Sequence, residues 1–157
     1  MEPGLEMPIY VDGAKYDIWL KLLLGGIIAI LLITSIVLVF DDPWNALIMF
    51  AVAAFDALLF YTILPHRYEV WPDRIRVVLG GPFAFSIPFS SIAELRAGEG
   101  WNALAYPGVR LATSTRTIVE IVRSRGWNMV ISPSDRDMFL ERAGQALEAW
   151  RRSSAER

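Results

Sequence analysis

Cysteine is absent from this chain of 157 residues, and histidine occurs once, at His66. Without cysteine the chain can form neither a disulfide framework nor a thiolate metal site, so cysteine usage indicates no redox compartment. A single imidazole also excludes zinc motifs built from cysteine and histidine, and any histidine cluster within one chain. We therefore expect no metal ion and no cofactor.

Basic residues are scarce in the first part of the chain. Up to Pro65 there are 2 lysines or arginines and 7 acidic residues, whereas from His66 onward there are 13 and 10. The net charge of −2 therefore averages two unlike parts. The basic excess of the second part is too small and too dispersed to indicate a nucleic-acid partner.

Two long apolar runs lie within the charge-poor part. Leu22 to Phe40 is 19 residues without an ionisable group, and Ala46 to Leu64 is 19 residues with a single one, Asp56. As a helix, each run covers about 28 Å, close to the ~30 Å hydrocarbon core of a bilayer. The runs predict a transmembrane helical hairpin over residues 18–65. Because the start of the chain is acidic and the first run is long, we interpret it as a retained anchor, not a cleaved signal.

Positive charge flanks the predicted hairpin at its open end, where the chain enters and leaves, and is absent from the connecting loop. Lys15 and Lys21 lie beside the start of the first run, and Arg67 follows the second, whereas the connecting loop carries only Asp41 and Asp42. Lysine and arginine favour the cytoplasmic side of a membrane. We therefore predict an inner-membrane protein with two membrane-spanning helices and both termini in the cytoplasm. Residues 1–17, rich in proline and glycine, are predicted to form an irregular leader.

Asp56 is the only ionisable residue in the second apolar run. It lies about 11 residues, or about 16 Å, from the loop, where an ionised carboxylate costs at least ~2.5–3.5 kcal/mol. Three interpretations are open: a neutral carboxyl bonded to a backbone carbonyl or to Thr34 or Ser35, a polar contact to another subunit, or proton or ion handling. Small residues at a spacing of four predict the close approach of the helices. They are Gly25 with Ala29 and Ala53 with Ala57.

From His66 onward the apolar periodicity changes to two, as in Arg74-Ile75-Arg76-Val77. The alternation predicts seven short strands, at 67–71, 74–79, 83–89, 91–97, 109–113, 117–124 and 127–132. After Pro133 the apolar residues follow a helical stripe that reaches Trp150. The predicted class is α+β: the helical hairpin, then a seven-stranded antiparallel sandwich or partly open barrel with a C-terminal helix over residues 66–152, and a polar tail at 153–157.

Three groups of segments in the second part resemble a known family. They are Arg67-Tyr68-Glu69-Val70 with Arg74-Ile75-Arg76-Val77, then Ile87-Pro88-Phe89-Ser90-Ser91-Ile92, then Val130-Ile131-Ser132-Pro133 leading into Phe139-Leu140. Their order and spacing resemble the bacterial pleckstrin-homology-like (PH-like) domains, whose members often carry one or two transmembrane helices directly before the domain. The resemblance covers about residues 18–150. It implies a sandwich-plus-helix fold, a role in binding or assembly at the membrane, and no catalytic residues.

Two groups of residues are candidate contact sites. Arg67, Arg74 and Arg76 follow the second helix closely, and each basic side chain held near anionic lipid adds ~1 kcal/mol. Eukaryotic relatives of the PH fold often bind phosphoinositides in this region, but the turn here contains no lysine, so a solvated strand face is the alternative. Trp101 and Tyr106, in the longest loop, are candidate contacts to a protein partner, or else pack beneath that loop.

Enzyme motifs are absent from the sequence. There is no phosphate-binding Gly-Lys-Ser/Thr loop, no glycine-rich nucleotide fingerprint and no Gly-x-Ser-x-Gly elbow. We therefore predict a protein that is not an enzyme and that acts as a scaffold, assembly module or accessory subunit for a protein partner; the sequence identifies no small-molecule substrate. Two alternatives are a small subunit of a transport or ion-coupled complex that uses Asp56, and a sensor of anionic lipid.

Overall fold

The computed structural model describes residues 7–98 and 108–156. A short strand precedes two long helices; seven further strands and a C-terminal helix follow, in the order β1 (Tyr10–Gly13), α1 (Ile18–Leu38), α2 (Pro43–Ile63), β2 (Pro65–Val70), β3 (Arg74–Leu79), β4 (Ala84–Pro88), β5 (Ile92–Gly98), β6 (Val109–Leu111), β7 (Ile118–Arg123), β8 (Met129–Ile131) and α3 (Arg136–Ala155). The predicted α+β class, with two apolar helices ahead of a strand-rich part, is confirmed.

Helices α1 and α2 are each 21 residues long and apolar enough to cross a membrane, with mean hydropathies of 2.5 and 2.1. Only 6% and 11% of their most apolar windows are buried within the protein, whereas a core helix of a soluble domain is mostly buried. Helix α2 begins at Pro43, which supplies the fixed φ that suits a first helical position. Asp42 caps the same end by accepting the N–H of Asn45 at 3.2 Å.

The two long helices contact each other through Ser35, Ala46 and Ala53, of which the sequence predicted Ala53 as a residue of close approach. The buried hydroxyl of Ser35 donates to the carbonyl of Ala46 at 2.7 Å, and Ala46 and Ala53 are both buried. Gly25 and Ala29 are exposed, so the predicted close approach through these two residues is wrong. A polar hydroxyl that finds a partner on the neighbouring helix fixes this contact, because an unpaired one in apolar surroundings is costly.

The eight strands of the described residues form two separate four-stranded sheets. The first has the order β1-β2-β3-β4 and is antiparallel throughout, and the second has the order β5-β7-β8-β6. Strand β6 pairs with β8 in parallel, whereas the other pairs in the second sheet are antiparallel. The predicted count of seven strands, all antiparallel, is therefore wrong, and the sheets do not close into a barrel.

The additional strand, β1, comes from the segment predicted to be an irregular leader. Tyr10 pairs with Val70 and Gly13 with Arg67, so β1 is an edge strand of the first sheet. The sequence did not reveal it because a four-residue strand carries little periodicity and its partner lies beyond both long helices. The hairpin is consequently inserted between two neighbouring strands of one sheet.

One hydrophobic core joins both sheets and helix α3. Its largest fully buried side chains include Tyr68 from the first sheet, Ile121 from the second and Phe139 from α3. The rings of Tyr68 and Phe139 pack edge to face with their centres 6.2 Å apart, and those of Trp150 and Phe89 do so with their centres 6.4 Å apart. The predicted apolar stripe on the C-terminal helix is confirmed by its burial in this core.

Candidate functional site

The strongest structural feature outside the core is the junction between α1 and the two sheets. We call residues 14–17 the junction segment. The N–H of Ala14 donates to the carbonyl of His66 in the first sheet at 3.0 Å. The N–H of Lys15 then donates to Ser132 at 2.9 Å, and that of Asp17 donates to Thr113 at 3.0 Å, both on the side of the second sheet. The chain entering α1 is therefore bonded to both sheets within four residues.

A buried group of hydroxyls lies beneath the junction segment. Thr113 donates its hydroxyl to the carbonyl of Lys15 at 2.6 Å and its N–H to the Ser132 hydroxyl at 2.8 Å. The phenol of Tyr68 accepts the N–H of Ser132 at 3.3 Å and donates to Leu111 at 3.1 Å. Burial raises the pKa of Tyr68, so the phenol stays neutral and available as a donor. These bonds hold the junction segment against the second sheet.

Asp17, at the N-cap of α1, is the most heavily bonded carboxylate of the described residues. It accepts the Ser114 hydroxyl at 2.7 Å and both the N–H and the hydroxyl of Thr115, at 2.7 and 2.8 Å. The indole of Trp19 adds a longer bond of 3.3 Å. Burial alone would raise the pKa of Asp17, but the bonds from Ser114 and Thr115 outweigh it and lower the pKa to about 2. Asp17 therefore links the start of α1 to the loop before β7.

Replacing Asp17 tests this link. Asp17→Ala leaves the Thr115 N–H and the Ser114 hydroxyl without their acceptor. Hydrogen bonds to a charged group contribute ~1.5–3 kcal/mol each, but Asp17 is only half-buried and water can take its place in part, so we expect about 2 kcal/mol of destabilisation in thermal unfolding of the detergent-solubilised protein. Because the folded-state pKa lies below the ordinary value of 3.8, the stabilisation is present above that value and is lost as the pH falls through about 2.

Glu148→Ala is the matched control, because Glu148 is an exposed acid on α3. Its removal deletes the same charge and should change the free energy of unfolding by less than ~0.5 kcal/mol. Equal unfolding temperatures for the two variants would contradict the role of Asp17.

The structure brings two of the three predicted lipid-contacting arginines onto one buried acid. Glu69 has only 4% of its surface exposed, and Arg67 contacts it at 2.8 Å. Arg76 approaches the other carboxylate oxygen at 3.8 Å, and the Trp71 indole donates to the same oxygen at 3.1 Å. The signal for this ion pair is the pairing of β2 with β3, because the antiparallel register places Glu69 directly opposite Arg76. The two arginines thus stabilise the outer face of the first sheet.

Arg74, the third of these arginines, lies beside them. It contacts Asp73 at 3.0 Å, and its guanidinium lies 5.7 Å from the centre of the Trp71 ring. A groove of about 250 Å³ opens here, lined by Trp71, Arg74, Arg76, Ala84 and Ser86. Since Arg67, Arg74 and Arg76 all have acidic partners, their charge is largely compensated within the sheet.

Asp56 lies half-buried in the interior of α2. Within residues 7–98 and 108–156 no hydrogen-bond or ion-pair partner of its carboxyl group is found. Ser35, one of the partners considered from the sequence, donates to Ala46 instead. The carboxyl group is therefore open to a contact from outside the described chain. Trp101 and Tyr106, the other predicted contact residues, lie outside the described residues.

The end of α2 is joined closely to the first sheet, just as the start of α1 is joined to both sheets. Helix α2 ends at Ile63 and strand β2 begins at Pro65. The rings of Tyr61 and His66 meet edge to face at 5.0 Å, which places the single histidine at this joint. The turn after β3 approaches the helix so closely that a Cβ atom on Gly80 would lie 1.8 Å from the carbonyl oxygen of Tyr61. Both helices are therefore fixed to the domain without a flexible linker.

Comparisons with protein families, curated proteins and solved structures found no match for this chain. Across the described residues there is also no group of three or more His, Cys, Asp or Glu side chains that could hold a metal ion.

Proposed function

We propose that this is a two-pass inner-membrane protein whose PH-like domain serves as a docking or assembly module for a protein partner at the cytoplasmic face. The observation that carries the proposal is the insertion of the hairpin between β1 and β2, with both of its ends fixed to the domain. The low burial of both long helices supports lipid as their surroundings.

The pairing of β1 with β2 constrains the topology. β1 precedes α1 and β2 follows α2, yet the two strands are hydrogen-bonded neighbours. If the helices cross a bilayer, both flanks must lie on the same side of it. The lysines and arginines that flank the hairpin, against the two acids of its loop, favour the cytoplasm for that side.

A domain fixed in this way presents one defined surface to the cytoplasm. A tethered enzyme or carrier domain needs no fixed orientation, whereas a module that aligns a second membrane protein gains from it, because less freedom is lost on binding. The arrangement of two sheets with a C-terminal helix over one core supports the PH-like assignment, with β1 supplied from ahead of the hairpin. No residue of this scheme is catalytic.

Co-purification tests the proposal. A tagged full-length chain, extracted in mild detergent after cross-linking in membranes, is expected to retain a partner in a fixed ratio. A shortened chain of residues 1–64, which keeps the hairpin and lacks the domain, should lose that partner. A full-length protein that is entirely monomeric and without partners would contradict the docking role. Retention by the shortened chain would assign the contact to the hairpin.

A second candidate function follows from Asp56. A half-buried carboxyl group without a partner in the described chain, within a helix apolar enough to span a membrane, suits a polar contact or ion-handling group in a transport complex. Under this candidate, Asp56→Asn should abolish transport by the complex while assembly persists, and Asp56→Leu should abolish both. Growth and assembly assays that are unchanged by Asp56→Leu would eliminate the candidate.

A further inference from the structure

A groove of about 470 Å³ lies where the first turn of α1 meets the loop before β7. Its walls come from the junction segment, from α1 and from that loop. The lining residues are Lys15, Tyr16, Asp17, Ile18, Trp19, Thr115 and Arg116. One wall is therefore polar and cationic, and the other is the apolar start of a helix.

The two basic side chains of this groove differ from the arginines of the first sheet. Lys15 and Arg116 are exposed, and neither the ammonium nor the guanidinium group has an ion-pair or hydrogen-bond partner among the residues that the structure describes. Asp17 contributes one negative charge, but its oxygens already accept bonds from Ser114, Thr115 and Trp19. The groove thus carries a net charge of about +1, with two basic groups whose N–H donors can bind an anion.

The apolar wall indicates where the groove lies. Ile18 and Trp19 are 70% and 40% exposed although they begin an apolar helix. With the hairpin in a bilayer, which is the proposed function on which this inference rests, this turn lies at the membrane interface, where tryptophan is enriched. The groove then opens at the level of the lipid headgroups.

We propose that this groove binds the phosphate of an anionic phospholipid from the cytoplasmic leaflet. Arg116 can contact two phosphate oxygens through its planar guanidinium group, and Lys15 adds a compact positive charge. Ile18 and Trp19 contact the glycerol and upper acyl chains of the same molecule. A free phosphate ion would use the cationic wall only, so the apolar wall favours a lipid. Binding there ties the loop before β7, and with it the second sheet, to the membrane surface.

The test compares three full-length proteins in a neutral detergent: the wild type, the double variant Lys15→Gln with Arg116→Gln, and the control Arg125→Gln with Arg142→Gln. The control removes the same charge from exposed positions outside the groove. Phosphatidylglycerol, phosphatidylcholine and inorganic phosphate are titrated separately, and bound lipid is counted by native mass spectrometry. The thermal unfolding of each variant reports that the fold is intact.

We expect the wild type to bind phosphatidylglycerol in preference to phosphatidylcholine. Each basic group near anionic lipid contributes about fivefold in affinity, so the groove variant should bind phosphatidylglycerol roughly 30-fold more weakly, and the control should stay within about twofold of the wild type. Equal binding by the groove variant and the wild type would overturn the proposal, as would equal weakening in both double variants. Inorganic phosphate that competes with the lipid at equal concentration would overturn the assignment to a lipid.

Failure of the membrane anchor gives a different result. A chain that stays soluble without detergent would contradict the two-pass proposal itself, whichever lipid it binds. A chain that needs detergent but shows no preference for phosphatidylglycerol would contradict the lipid site alone.

Discussion

Deletion of residues 2–13 is expected to unfold the two sheets. The deletion removes β1, whose backbone pairs with β2 from Tyr10 to Gly13, and the edge-to-face contact of Tyr10 with Phe139 at 6.4 Å. It also removes three bonds to the chain entering α3. Asp12 accepts the N–H of Asp135 at 2.9 Å, and the Gly13 carbonyl accepts the N–H of Ser134 at 2.9 Å and its hydroxyl at 3.1 Å. At about 1 kcal/mol for each hydrogen bond, together with the lost apolar burial, the deletion costs roughly 5 kcal/mol or more. That is comparable with the whole stability of a small domain.

Limited proteolysis and thermal unfolding in detergent measure this effect. Residues 65–157 should become protease-sensitive after the deletion, although the helices keep their far-ultraviolet circular dichroism. Deletion of residues 2–6 alone is the control, because it removes none of the contacts just described. Equal protease resistance of the two shortened proteins would show that β1 is dispensable.

Gly80→Ala is expected to separate α2 from the first sheet. The new Cβ would lie 1.8 Å from the Tyr61 carbonyl oxygen and 2.6 Å from its carbon, and these are backbone atoms that no rotamer change can move. Overpacking of this kind typically costs 1–3 kcal/mol and occasionally more, and we expect about 3 kcal/mol here because helix and strand must both shift. Thermal unfolding of the detergent-solubilised protein, followed by the near-ultraviolet signal of the aromatic residues, measures the loss.

Gly144→Ala is the matched substitution for Gly80→Ala. Gly144 lies within α3, and a Cβ atom added there meets nothing within 4 Å. Alanine is the better helix former, so this variant should gain up to ~1 kcal/mol in its free energy of unfolding. A loss of stability at position 144, or none at position 80, would refute the tight junction at the end of α2.

The sequence predicted the elements that carry strong periodicity. The unbroken apolar run from Leu22 to Phe40 gave α1, the alternation around Ile75 and Val77 gave β3, and the helical stripe from Phe139 to Trp150 gave α3. Each of these segments can be assigned from its own residues, because the spacing of the apolar residues reflects the repeat of a helix or a strand.

The junction could not be predicted in the same way. The bonds of Asp17 join it to Ser114 and Thr115, which lie 97 and 98 residues further along the chain. A single acid before a helix indicates an N-cap, but the pattern gives no information about a distant loop. Strand β1 could not be predicted either, because it is stabilised by pairing with β2, which lies on the far side of the hairpin in the sequence.

The pairing of the arginines with Glu69 was not predicted, although strand pairing carries a signal for it. Once β2 and β3 are paired as antiparallel strands, Glu69 falls opposite Arg76, and a shared acid reduces the charge available to lipid. Lys15 and Arg116 have no such partner among the described residues; they are 101 positions apart in the sequence, and the fold brings them into one groove.

The absence of native cysteine makes the proposed topology directly measurable. In single-cysteine variants, Asp41→Cys places a thiol in the loop between α1 and α2, and Ser154→Cys places one near the end of α3; both positions are exposed. With a membrane-impermeant maleimide applied to intact spheroplasts, we expect labelling of the Asp41→Cys variant at once and of the Ser154→Cys variant only after lysis. Labelling of the Ser154→Cys variant in intact spheroplasts, or equal labelling of both, would contradict a hairpin that crosses the membrane beneath a cytoplasmic domain.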